Sequence, residues 1–184
     1  MKKWLVLFLP ILLVGCGPVK DLSNTPTRKV EAYLNKYQIA DDSILTDVFD
    51  SITDLFNDIT DLNDDEKDRY EKLMKKNYGD MTYEVKDETI DGDKALVTVE
   101  INVHDLAKVR KSADEYLSEH PDEFNDDGIF STNLFHEYLF EHFEDSDIVT
   151  YTIQLSLTKK ENGEWDLDDL TKEQKQKING TYGM

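Results

Sequence analysis

Apolar residues recur along this chain with two different periods, and the change from one to the other divides it. Val30, Tyr33, Leu34 and Tyr37 stand at i, i+3, i+4 and i+7, one stripe of a helix opened by Thr25-Pro26. A longer stripe of Ile44, Leu45, Val48, Phe49, Ile52, Leu55, Phe56 and Ile59 predicts a central core helix from about Asp42. Asn63 followed by Glu66 is the pattern of a capping box, which opens a third helix through Tyr70, Leu73 and Met74 to Gly79. After Gly79 the period becomes two. Met81, Tyr83 and Val85 alternate with polar neighbours, as do Ala95, Val97, Val99, Ile101 and Val103 beyond Asp91-Gly92. Val149, Tyr151, Ile153, Leu155 and Leu157 repeat the alternation, followed by Asn162-Gly163 and then Trp165 and Leu167.

Parity constrains the turns. A two-residue Asp91-Gly92 turn would put the apolar sets of its two strands on opposite faces. A three-residue loop, Ile90-Asp91-Gly92, with glycine left-handed in a bulge, pairs Val85 with Val97 and Tyr83 with Val99, and sets Glu88 opposite Lys94. The same loop at Glu161-Asn162-Gly163 pairs Leu157 with Leu167 and Lys159 with Trp165, and sets Lys160 opposite Glu164.

Between the hairpins lie two helical stretches. One carries Leu106, Val109, Ala113, Tyr116 and Leu117 and stops before Pro121. The other is capped by Ser131 and carries Leu134, Phe135, Tyr138, Leu139 and Phe143, with an acidic loop from Asp122 to Gly128 between them. Thr171 and Gln174 form another capping box, ahead of a short helix to Ile178 that stops at Asn179-Gly180. The expected fold class is α+β. Helices pack on one face of a curved antiparallel sheet of about four strands, with two helices inserted between the hairpins and a short helix at the C-terminus.

The N-terminus follows another rule. Lys2 and Lys3 precede an apolar run from Trp4 to Val14 that contains Pro10 and is too short for a membrane span, which needs about 20 residues. It ends in Leu13-Val14-Gly15-Cys16, and it resembles the signal peptide and lipobox of bacterial lipoproteins, in which the chain is cut between Gly15 and Cys16 and the cysteine is lipidated. The resemblance implies a signal peptide over 1–15, a lipidated Cys16 with a tether over 16–25, and a single domain over 26–180. It places the protein on the outer face of the cell membrane, or on the outer membrane in a Gram-negative host. Cys16 is the only cysteine, so no internal disulfide is possible.

Removing residues 1–15 leaves 19 lysines and arginines against 40 aspartates and glutamates, a net charge of −21. That sign excludes a nucleic-acid partner, whose phosphates require clustered cations. It also opposes flat binding to anionic lipid heads. Asp47, Asp50, Asp54, Asp58 and Asp61 line the polar side of the second helix. This ridge is read as a solvated face, with binding of Ca²⁺ or a cationic partner as the alternative. The run Asp61-Leu62-Asn63-Asp64-Asp65 fails as an EF-hand, because Glu66 stands where glycine is needed and Lys72 where the bidentate glutamate belongs. His136 and His142 lie six apart, not four, and do not make a zinc-protease pair. All four histidines are expected at the surface or at helix ends.

The element order, with the run Gly92-Asp93-Lys94-Ala95-Leu96-Val97-Thr98-Val99 as its second strand, resembles nuclear-transport-factor-2-like and cystatin-like domains of lipoproteins from Gram-positive bacteria. Enzymes of that fold carry an acid or base inside the sheet's concave pocket. The inward-facing residues here include no carboxylate, histidine or lysine, so no catalytic residue, cofactor or metal is expected. The expected function is a non-enzymatic binding or accessory domain. It would take a small apolar ligand in a cavity lined by Tyr83, Tyr151 and Trp165, or a protein partner of the cell envelope. A hydrolase or isomerase of the same fold is the alternative, and ordinary core packing is the competing role for the three aromatics.

Overall fold

The computed structural model describes residues 24–41, 43–44 and 62–184. The first described residue is already part of the fold. The Asn24 side-chain amide donates to Gly163 O, and its Oδ1 accepts from Trp165 N, both at 3.0 Å. Thr25 caps α1 (Pro26–Gln38), accepting from Arg28 N at 3.2 Å. Of the residues expected to form the second helix only Ser43 and Ile44 are described, with Ile44 buried; the other positions of the stripe and the acidic ridge lie outside the described residues. In α2 (Asp64–Gly79) both bonds of the capping box are present: Glu66 N donates to Asn63 Oδ1 at 3.0 Å, and Asn63 N donates to Glu66 Oε2 at 2.7 Å.

Next come β1 (Thr82–Asp91), β2 (Lys94–His104), β5 (Ile148–Lys159) and β6 (Trp165–Leu167), which form one antiparallel sheet in the order β1-β2-β5-β6. Between β2 and β5 the chain leaves the sheet through α3 (Leu106–Glu119) and α4 (Thr132–Glu144), then returns to pair β5 directly against β2. The acidic segment between these helices is not a plain loop. A 3₁₀ turn at Pro121–Phe124 leads into two-residue strands β3 (Asn125–Asp126) and β4 (Ile129–Phe130). They are joined by Asp127-Gly128 with φ of 50° and 83°, as a type I′ hairpin turn requires.

The second hairpin has the expected register, Leu157 opposite Leu167 and Lys159 opposite Trp165, with Gly163 at φ 85°. The first differs. Its loop is Gly92-Asp93, with Asp91 paired to Lys94, and the parity lost by a two-residue loop is restored by a bulge at Lys86. Val85 therefore pairs with Val99 and Tyr83 with Ile101, while Glu88 stands opposite Val97 instead of Lys94. There the Glu88 carboxylate accepts from Thr27 N at 2.9 Å and Thr27 Oγ1 at 2.7 Å, an acid at the N-terminus of α1. In the second hairpin Lys160 and Glu164 meet through their backbones, and the Lys160 ammonium pairs diagonally with Asp166 at 2.7 Å.

Every second residue of β2 from Ala95 to Val103 is buried, and these side chains meet Leu34 and Tyr37 of α1 and Tyr70 and Met74 of α2 in one core. Full burial of a side chain such as Val97, Val99 or Ile101 contributes about 1.5–3 kcal/mol. The short α5 (Lys172–Asn179) lies along the edge of β5 beyond β6, where the Gln174 side chain donates to Gln154 O. It stops at Gly180, φ 71°, where a Cβ would stand 1.9 Å from His104 O. Only glycine lets the end of α5 approach the end of β2 this closely.

Candidate functional site

Gly15, Cys16, Asp47, Asp50, Asp54, Asp58 and Asp61 lie outside the described residues. Tyr83, Tyr151 and Trp165 do share the inner face of the sheet, but they are not brought together. Tyr83 and Tyr151 flank Ile101 in one row across three strands. Trp165 pairs with Lys159, eight residues further along β5, about 26 Å away at the rise of a strand. Each has its own partner. Tyr83 Oη donates to Asn35 Oδ1 at 2.9 Å, Tyr151 meets the Tyr182 ring edge-on at 5.7 Å, and the Lys159 ammonium lies 5.7 Å from the centre of the Trp165 ring. Burial, aided by neighbouring Glu31 or Asp105, raises the Tyr83 and Tyr151 hydroxyls above their ordinary values. Alternation reveals a face but not a row, which is why these aromatics looked closer in sequence than they stand in space.

One histidine departs from expectation. His136 is buried, and its Nδ1 lies 3.2 Å from Glu66 Oε1 of α2. The buried face of α4 is Phe135, His136, Leu139, Phe140 and Phe143, rotated toward α2 so that Leu134 stays 42% exposed. A polar residue on this face is tolerated because Glu66 supplies its partner.

Two concavities lie at the end of the sheet where β2 stops and β5 starts. Asp105 caps α3, accepting from Lys108 N at 3.0 Å, and its own N–H donates to Asp147 O at 2.8 Å. Ala107 N donates to Gly180 O at 3.0 Å, so the starts of α3 and β5 and the end of α5 meet at one corner. The Lys108 ammonium reaches Asp147 Oδ2 at 2.7 Å. That hydrogen bond holds the Asp147 carboxyl below its ordinary value and raises the lysine.

On one side of this corner a groove of about 410 Å³ runs between α3 and the end of α4, and includes Tyr138, Glu141, His142, Asp145 and Ser146. On the other a groove of about 760 Å³ runs between α3 and the C-terminal residues, and includes Arg110, Lys111, Asp114, Tyr151, Tyr182 and Met184. Asp105 and Lys108 belong to both. The first groove abuts a stack of four rings, His120, Tyr116, Tyr138 and His142, with successive centroids 4.3, 5.0 and 4.0 Å apart. Phe124 stands edge-on to both tyrosines of that stack.

Sequence reading missed a second feature of this corner. Ser146 Oγ lies 2.9 Å from His104 Nδ1, and His104 Nε2 lies 3.3 Å from Asp80 Oδ2. The order serine, histidine, aspartate is that of an activated nucleophile. Two facts weigh against chemistry. Ser146 Oγ donates to Phe143 O at 2.8 Å, and the imidazole Nδ1 also faces the carbonyl of Ser146 at 3.2 Å. Glu141, Asp145 and Asp147 line the same groove and would repel a developing oxyanion. The arrangement joins the start of β1, the end of β2 and the turn before β5. No residue type in the sequence signals it, since its three members are 24 and 42 positions apart.

Among the described residues no group of three or more histidines, cysteines or carboxylates is arranged to hold a metal, and no helix is long and apolar enough to cross a membrane. No family model and no curated protein matches this chain. Among solved structures it is similar to the crystal structure of "a putative lipoprotein (ycdA)" from Bacillus subtilis subsp. subtilis str. 168, at 15% identity and a TM-score of 0.49. The match covers 77% of this chain and 51% of that one, so the likeness spans about half the length of the Bacillus protein.

Proposed function

We propose that this chain is a lipoprotein, held by lipid on Cys16 at the outer face of a membrane, whose domain binds a ligand or assists a partner without performing catalysis. The observation that carries this reading is the run Leu13-Val14-Gly15-Cys16 behind a short basic and apolar leader, eight positions before Asn24 is fixed to the sheet. The antiparallel sheet with helices on one face is compatible with a nuclear-transport-factor-2-like or cystatin-like domain. Support for a binding role comes from the two grooves that meet at Asp105 and Lys108.

Native mass spectrometry of residues 21–184, purified from the natural host without detergent, tests the binding role. A stoichiometric organic adduct establishes a small-molecule ligand, and retained Ca²⁺ points to the aspartate ridge of the second helix. A bare mass overturns tight ligand binding and leaves an envelope protein as the partner. A serine-hydrolase reading is favoured by one observation, the Ser146-His104-Asp80 series. Fluorophosphonate labelling that is lost in Ser146→Ala would establish that reading and overturn the non-enzymatic one.

A further inference from the structure

We infer that the domain stands on the bilayer with its hairpin turns toward the lipid and its two grooves pointing outward. This rests on the lipid anchor at Cys16. The attachment point is fixed by Asn24, whose side chain bonds Gly163 and Trp165 in the β5–β6 turn. The β1–β2 turn is at the same level, since Lys159 N donates to Asp93 O. The grooves are at the opposite end. Both include Asp105, which follows His104 at the end of β2, and His104 pairs with Ile148 at the start of β5. The path along β5 from Lys159 to Ile148 is therefore about 36 Å at the rise of a strand.

Reach excludes the inverted posture. Eight steps of chain from Cys16 to Asn24 extend at most about 29 Å. Setting the grooved end on the bilayer would lift Asn24 about 36 Å above it, beyond the longest reach. Lying flat is within reach but is opposed by charge. The mature chain carries 19 cations against 40 carboxylates, and anionic headgroups repel it. Of the three postures the upright one satisfies both constraints, and it presents the shared corner at Asp105 and Lys108 to whatever lies outside the membrane.

Two variants of the mature lipidated protein, each with one free thiol besides the lipidated Cys16, test the posture. Glu161→Cys lies in the β5–β6 turn, and Ile148→Cys, at a position 54% exposed, lies at the start of β5. Each is labelled with a short-range fluorescent donor and inserted into phosphatidylglycerol-containing vesicles that carry a headgroup acceptor. Energy transfer is expected to be several-fold larger from position 161 than from 148. Equal transfer from a protein that stays on the vesicles overturns the posture and leaves the anchor standing. A protein that washes off overturns both. Because both sites are exposed, a folding defect is checked by unchanged circular dichroism of each labelled variant.

Discussion

Glu66 performs two tasks with one carboxyl group, which makes its removal informative. Oε2 accepts from Asn63 N at 2.7 Å to close the cap of α2, and Oε1 lies within hydrogen-bond distance, 3.2 Å, of His136 Nδ1 on the buried face of α4. The residue is 5% exposed and His136 is 2% exposed, so little water is available to replace either bond. Glu66→Ala loses the cap bond and deprives a buried imidazole of its carboxyl partner. The lost cap and the lost hydrogen bond to a buried polar group together cost about 1.5–5 kcal/mol, which for a domain of this length is a fall in Tm of roughly 10 °C. Glu66→Gln keeps the shape, but only one carboxylate oxygen survives as a carbonyl, so the contact to Asn63 N or the contact to His136 Nδ1 passes from a carboxylate to an amide. It is expected to cost about 1.5–3 kcal/mol, the value of one hydrogen bond to a charged group. Glu66→Met combined with His136→Leu replaces the pair by packed apolar atoms, and this double variant should be more stable than Glu66→Met alone. Urea unfolding followed by circular dichroism gives all four values. The reasoning is refuted if Glu66→Ala stays within about 0.5 kcal/mol of the parent, the range of an ordinary surface substitution.

Gly180→Ala should destabilise more than Gly92→Ala, because Gly180 adds a clash with His104 O to its positive φ while Gly92, φ 59°, faces open space. Hydrogen exchange at Ala107, whose N–H bonds Gly180 O, should rise in the first variant and stay unchanged in the second. Burial raises the Tyr70 hydroxyl far above its ordinary value, so the unfolded chain releases that proton near pH 10 while the folded one retains it. Stability from this group is complete below pH 10 and is lost as pH rises beyond it; Tyr70→Phe should flatten the alkaline fall of the urea midpoint, and an identical fall would refute the assignment. Lys108→Gln should leave Tm unchanged, since the pair is solvent-exposed, while an NMR titration shows the Asp147 carboxyl moving up toward its ordinary value.

What the sequence made legible was local. Thr25, Asn63 with Glu66, Ser131, and Thr171 with Gln174 all cap the helices they were expected to cap, because a cap is decided within four residues. The Gly163 turn was readable for the same reason. The first hairpin was not, since its loop depends on the Lys86 bulge, and Glu88, in the register that bulge sets, caps a helix 61 positions away. His136 was misplaced because its partner Glu66 is 70 positions distant. The grooves were invisible for a related reason: they join α3, the turn before β5 and the C-terminal residues, which share no pattern along the chain. Tyr83, Tyr151 and Trp165 show the limit of periodicity, which assigned them the right face and could not separate their rows.

Lipid on Cys16 is read off the mass of the mature N-terminal peptide, taken from the membrane fraction of the natural host. The expected chain begins at Cys16 and carries a diacylglyceryl thioether, and a Cys16→Ser variant lacks this mass and leaves the membrane. An unmodified Cys16, or a mature chain that begins elsewhere, would contradict it.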